Sequence, residues 1–131
     1  MIRVRATREG LDGHRTSTGY RVDPHVPFVA LPSTAALRLW IRIHNPLNNK
    51  VVRALVLDVG PWEEADHAYV FQPATMNHLG LSVPPDTIRP KAESGIDSRR
   101  RTTNLAGIDL GEKVWHDLDM RDNGEVEWEL D

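Results

Sequence analysis

Val51-Val52-Arg53-Ala54-Leu55-Val56 runs directly into Leu57-Asp58-Val59-Gly60-Pro61-Trp62. The first of these segments is apolar apart from Arg53 and reads as a largely buried strand. Asp58 stands at the end of that strand and is followed at once by a Gly60-Pro61 turn, so rigid scaffold carries its carboxylate to the surface. Just upstream, Leu39-Trp40-Ile41-Arg42-Ile43-His44 alternates with apolar residues at odd positions, the pattern of a half-buried strand. Asn45-Pro46-Leu47-Asn48-Asn49-Lys50 between them has the composition of a hairpin turn. About fifty residues beyond Asp58, Gly107-Ile108-Asp109-Leu110-Gly111 repeats the apolar-Asp-apolar pattern. Two aspartates at element ends, brought together by a fold, are raw material for acid–base chemistry on a sugar or acyl substrate. Two ordinary turns carry the same pattern.

Strand signals continue outward from this pair. Residues 2–7 alternate, residues 13–19 are rich in turn formers, and Phe28-Val29-Ala30-Leu31 is a short apolar run closed by Pro32. Gly124 to Leu130 is a last alternating strand, with Val126, Trp128 and Leu130 on one face and Glu125, Glu127 and Glu129 on the other. One helix stands out: Leu110, Val114, Trp115 and Leu118 follow helical spacing, and Asp109 with Glu112 fits a capping box. It is predicted to end near Met120. A short helical turn is predicted around Ser33 to Leu37. Residues 62–106 carry Pro73, Pro84, Pro85 and Pro90 with little periodicity, and a connection of that length is usually functional or disordered. The expectation is a mainly β single domain over residues 1–131, a small barrel or sandwich with one or two short helices and a long insertion at 62–106.

A chain of 131 residues can bury a core without covalent staples. The absence of cysteine excludes disulfides and thiolate metal sites. A net charge of −3 argues against a protein that coats nucleic acid, and no apolar run reaches the length of a membrane span. No cofactor, nucleic acid or membrane partner is expected. Met1-Ile2-Arg3-Val4-Arg5-Ala6-Thr7 alternates like a strand and lacks a signal-peptide core, so work outside the cytoplasm requires another route of export or a removed leader. Composition leaves the compartment and the oligomeric state open.

Each candidate for chemistry has a plainer reading beside it. Asp109 as a helix N-cap would accept a backbone N–H, worth about 1 kcal/mol, and a helix N-terminus would also favour its ionised form. Asp58 can cap the Gly60-Pro61 turn. Asp23 in Val22-Asp23-Pro24 reads as a turn initiator. The histidines show no metal-binding spacing, and His25, His44 and His67 read as surface residues. A metal-dependent activity would have to combine the aspartates with His67. Arg99-Arg100-Arg101, with Arg89 and Lys91, makes the insertion locally basic, either as a solvated loop or as a contact for an anionic substrate. Trp62 is either a core residue or a stacking platform for a sugar beside Asp58. Ser17 and Ser94 have no nucleophile context, and no phosphate-binding Gly-rich loop is visible.

Several segments in order resemble one family. Gly13-His14-Arg15-Thr16-Ser17-Thr18-Gly19-Tyr20 is similar to the G-x-x-T-A-x-G-E opening of double-psi β-barrel proteins of the rare lipoprotein A type. Trp40 through Lys50 looks like their V-R-V-T-N-L-x-N-G-R hairpin, Leu57 to Trp62 like N-D-R-G-P-F, and Ile108-Asp109-Leu110 with the helix ending at Leu118-Asp119-Met120 like I-D-L-S … A-L-G-M. Asp23, Asp58 and Asp109 resemble the three aspartates of the sister 3D domain.

The resemblance implies a six-stranded double-psi barrel with Asp58 and Asp109 beside one groove. Thr16, Asp23, Gly60 and Trp62 would serve substrate binding, and the Arg89 to Asn104 segment, with Arg99 and Asn104, would line or cover the groove or block it. It implies lytic cleavage of peptidoglycan or a related glycan. Asp58 would protonate the glycosidic oxygen and then deprotonate the 6-hydroxyl, giving a 1,6-anhydro product. The family also includes non-hydrolytic expansins, so a non-catalytic module that binds carbohydrate or protein, as an expansin-like or phage-particle component, is the alternative. Two departures stand out: Phe28 occupies the place of a family histidine before Leu31-Pro32, which His25 would have to replace, and the insertion lengthens the path between the aspartates.

Overall fold

The computed structural model describes residues 1–10, 13–16, 18–72 and 85–131. Ser17, Pro73 and Pro84 lie outside the described residues. Strands β1 (Ile2–Arg8), β2 (Phe28–Leu31), β3 (Trp40–Asn45), β4 (Lys50–Val59), β5 (Ala106–Leu110) and β6 (Gly124–Leu130) close into a barrel in the order β1-β5-β2-β4-β3-β6. β1 runs parallel to β5 and β2 parallel to β4, and the remaining neighbours are antiparallel. The mainly β, six-stranded expectation holds.

The alternation read from the sequence sorts side chains into two layers. Ile2, Val4 and Ala6 of β1, Ile41 and Ile43 of β3, and Val126 and Trp128 of β6 are buried together in the core. The intervening residues face outward as a ladder of opposite charges. Arg3 pairs with Glu127 and Glu125, and Arg42 with Glu129 and Asp131. Cross-strand pairs of this kind select the register of the hydrophobic face rather than supply most of its stability. Leu130, at the strand end, leaves that face and is exposed.

Two short helices accompany the barrel, α1 (His67–Val70) and α2 (Glu112–Asp117), and a single 3-10 turn forms at Thr34–Ala36, where a helical turn was expected. The start of α2 corrects the capping-box reading. Gly111, not Asp109, occupies the N-cap. Parallel pairing of β1 with β5 continues to Arg8 opposite Leu110, so the strand persists past Asp109 and the helix cannot begin before it. Glu112 turns instead to Arg8, accepting from Nε and Nη2 at 2.6 Å each. The helix also stops at Asp117, earlier than the predicted Met120.

The connection between β4 and β5 is less irregular than its composition suggests. It contains α1, 3-10 turns at Pro85–Thr87 and Lys91–Ser94, and bridges pairing Ser33 with Ala65 and Ile96 with Thr102. Tyr69 pins it to the barrel. Its buried hydroxyl donates to the Gly107 carbonyl and accepts from Trp128 Nε1, both at 2.9 Å, with the two rings edge-on.

Close approach of β2 to the start of α2 depends on Gly111. A Cβ added there would lie 2.6 Å from Cδ1 of the fully buried Phe28 ring. Overpacking of a rigid aromatic against backbone has no cheap relief. Gly111→Ala is therefore expected to lower stability by about 1–3 kcal/mol, measured by urea unfolding; a wild-type midpoint would show that β2 and α2 can separate freely.

Candidate functional site

Strand β2 is the axis of the site. Its Ala30 pairs with Asp58 of β4 on one side and Asp109 of β5 on the other, and Asp109 pairs in turn with Thr7 of β1. Residues in register share a sheet face, so Thr7, Asp109, Ala30 and Asp58 form one row across neighbouring strands. Two strand spacings separate the backbones of the aspartates by roughly 10 Å, and Ala30 between them contributes only a buried methyl. A register slip between Val29 and Ala30 makes Leu57 the extra residue of β4. Bulges re-aim side chains; this one sets Asp58, rather than Leu57, beside Ala30.

A third carboxyl joins them. Glu9 follows β1, anchored by its N–H to the Leu110 carbonyl at 2.8 Å. Glu9 is only 8% exposed, and its carboxyl lies beside that of Asp58. Two adjoining carboxyl groups in a buried setting resist ionising together. Burial, then the side-chain pairing with Asp58, then the charges of Asp58 and Asp109 push the Glu9 carboxyl up to about 9. Glu9 is thus the protonated partner at neutral pH. Its Oε2 is fully enclosed and meets no N–H or O–H donor among the described residues. Asp58 Oδ1 accepts the Val59 N–H at 2.8 Å.

Asp109 is set differently. Burial above all, with the Asp58 charge, pushes it up to about 6 against the opposing hydrogen bond from Thr7 Oγ1. Tyr20 completes the corner. Its ring stands edge-on to Phe28 with centroids 5.2 Å apart, and its enclosed hydroxyl approaches the Asp23 amide without the geometry of a hydrogen bond. Burial raises its pKa.

The remaining predicted residues divide into two groups. Trp62, Asn104, Gly60 and Arg99 lie together just beyond Asp58: Trp62 Nε1 donates to Asn104 Oδ1 at 2.8 Å, and Gly60, Trp62 and Arg99 line one cavity. Thr16 lies on the other side, its hydroxyl bonded to Thr18, which donates to the Leu57 carbonyl at 3.2 Å. Asp23 has the turn role: its carboxylate accepts the His25 N–H at 2.8 Å. His25 is exposed, and Phe28 is packed in the interior.

His67 bonds to Ser33 Oγ through Nδ1 at 2.5 Å, and among the described residues no three His, Asp or Glu side chains are arranged to hold a metal ion. Much of the basic character of the connection is spent internally: Arg89 pairs with Asp86 and Glu93, and Arg101 with buried Asp97.

Glu9 is the residue that sequence reasoning misses. It sits at the end of an alternating strand beside Gly10. Only its spacing from Thr7, two residues back on the same sheet face, hints at the site, and that hint has meaning only once β1 is known to pair with β5.

The chain belongs to the family described as Domain of unknown function (DUF8814), which matches residues 1–129. No curated protein matches it. Among solved structures it is similar to the Streptomyces papain inhibitor (SPI), at 12% identity and a TM-score of 0.47, over 98% of this chain and 93% of that one.

The raised carboxyls have a testable consequence for stability. Between the ordinary glutamate value of 4.5 and about 9, folded Glu9 holds a proton that the unfolded chain has released. Its contribution is therefore intact below pH 4.5 and declines as the pH rises toward 9, with a ceiling of about 1.4 kcal/mol per pH unit. Asp109 acts with the same sign between its ordinary 3.8 and about 6. Removing the titration by Glu9→Gln should leave a smaller fall in Tm between pH 5 and pH 8 than the wild type shows, by about 5 °C. Parallel Tm curves for the two proteins would show that Glu9 ionises freely.

Proposed function

We propose that this protein is a double-psi barrel that cleaves a peptidoglycan-type glycan by acid–base chemistry at Asp58. The Glu9 carboxyl, enclosed beside Asp58 and holding its proton at a half-exposed strand end, is the observation that carries this reading. The two parallel strand pairs of the barrel and the ordered motifs from Gly13 to Met120 support the family resemblance.

Asp58 is the member of the pair that a glycan can reach, and Glu9 stands behind it as the reservoir of the proton. In the first half of the reaction the Glu9 proton passes through Asp58 to the glycosidic oxygen, and the bond from that oxygen to the anomeric carbon breaks. The ionised Asp58 then removes the proton of the 6-hydroxyl as that oxygen bonds to the anomeric carbon. The product is a 1,6-anhydro sugar, and the proton returns from Asp58 to Glu9. Only one acid is consumed and regenerated. Asp109 lies on the other side of Ala30, where a carboxylate favours positive charge developing at the anomeric carbon. Phe28 has no part in the chemistry; proton holding falls to Glu9.

A second reading, a groove that binds glycan or protein without turnover, is favoured by the enclosure of Glu9 and by the apolar Phe28 in the place of the family histidine. Incubation with peptidoglycan sacculi and mass analysis of the released fragments separates the two. Anhydro products are expected from the wild type, with the rate reduced about 10²–10⁴-fold in Asp58→Asn at unchanged Tm. Sedimentation of the protein with sacculi, without products, selects the binding module.

A further inference from the structure

Beyond Asp58 the β4–β5 connection builds a cavity of about 410 Å³, within the usual range for small-ligand sites. Val59 and Gly60 form its near edge, directly after Asp58 in the chain, and Trp62, Lys91, Arg99 and Arg101 line it. Trp62 holds a φ of 68°, a left-handed conformation that bulky residues avoid. Such an outlier persists where its surroundings over-determine it. Here Asn104 fixes the indole N–H at 2.8 Å, Arg101 Nη2 donates to the Trp62 carbonyl at 3.0 Å, and the Arg101 guanidinium lies 5.5 Å from the ring centroid.

The acidic residues around this cavity are largely committed to building it. Buried Glu63 accepts the Ser98 N–H and Oγ–H at 2.8 and 2.7 Å. Buried Asp97 accepts the backbone N–H groups of Arg99 and Arg101 at 3.0 and 2.7 Å, and Arg101 Nε at 2.6 Å. Two cations remain for a ligand. Lys91 is exposed and makes no ion pair among the described residues. Arg99 reaches Glu64 only at 3.6 Å, with both side chains about two-thirds exposed, a contact that water and salt readily replace. On the opposite flank of Asp58 a cavity of about 460 Å³, lined by Tyr20, Leu55 and Leu57, carries a single cation, Arg38.

From this asymmetry we infer that the β4–β5 connection forms a subsite for a carboxylate-bearing sugar, its ring against Trp62 and its carboxylate between Lys91 and Arg99. The inference rests on the glycan reading of Asp58 and adds to it an order along the strand: the acidic unit lies on the Trp62 side of the reacting carboxyl. The insertion thereby extends the groove instead of blocking it.

The test is calorimetric binding to the Asp58→Asn protein, which does not depend on turnover. Two probes are compared: uncharged N-acetylglucosamine oligomers, and oligomers of equal length in which alternate rings carry a lactyl carboxylate. About tenfold tighter binding of the charged oligomer is expected at low ionic strength. The preference should disappear at 0.5 M salt, a level of roughly 4 Å Debye length, and in the doubly substituted Lys91→Ala, Arg99→Ala protein at unchanged Tm. Equal affinity for the two probes overturns the subsite, as does a preference that survives the double substitution. Failure to bind the charged oligomer while the wild type still releases anhydro products overturns the subsite alone. A charge preference without any products overturns the cleavage reading alone, and absence of both overturns both.

Discussion

Everything at the site follows from what Ala30 pairs with. Strand β2 is four residues long and fully buried, and it holds β4 on one side and β5 on the other. A parallel ladder on the β4 side and an antiparallel ladder on the β5 side meet at Val29 and Ala30, and the partners of Ala30 are both aspartates. The ladders bring together two aspartates that are separated by most of the second half of the chain. Position 30, buried between the aspartates, carries only a methyl, and a β4 ladder without its bulge would present Leu57 in place of Asp58. The proposed chemistry therefore depends on backbone pairing before it depends on any acid.

That arrangement carries a cost in stability. Three carboxyl groups converge, one of them enclosed, and Arg8, the nearest arginine in sequence, is turned to Glu112. A surrounding structure evolved only for stability would place an apolar residue at Glu9. Instead the barrel keeps a neutral acid there by burial and like charge, the two effects that raise a carboxyl most effectively. The Tyr20 hydroxyl, enclosed in the same corner with no hydrogen-bond partner among the described residues, is a second such polar group. Such groups gather where function tolerates strain, while the core of Val29, Leu31, Ile41, Ile43, Ile108 and Trp128 supplies the stability that offsets them.

What was legible in the sequence was whatever a single element decides by itself. The alternation in β1, β3 and β6 is visible because one face of each strand is buried and the other charged, and a period of two admits one reading. The hairpin at Asn45 to Lys50 and the strand-end position of Asp58 are equally local. Asp109 misled because Asp109 and Glu112 satisfy the capping-box rule, and nothing nearby reveals that β1 extends the strand through Leu110. Glu9 was hidden for the same reason: its neighbours are distant in sequence, and the strand-end pattern around it is ordinary. The β4–β5 connection shows no period because single side chains anchor it. Tyr69 enters the core, Glu63 holds the N–H and hydroxyl of Ser98, and Asp97 holds the N–H groups of Arg99 and Arg101.

The anchoring of that connection bears on why a small barrel carries it. A closed six-stranded barrel has no room inside for a ligand once Trp128, Tyr69 and the branched aliphatic side chains fill it. Any substrate must lie on the outside, across the ends of the strands. A bare strand end offers Asp58 and a turn, which is enough for chemistry and too little for orientation. On the proposed reading the connection supplies the missing wall: Trp62 as a flat surface and the exposed Arg99 and Lys91 as charge, on a frame braced by buried Glu63 and Asp97. Positioning and reactivity are thus assigned to different parts of the chain. The barrel sets the distance between the acids, and the connection sets which part of a chain-like ligand rests over them.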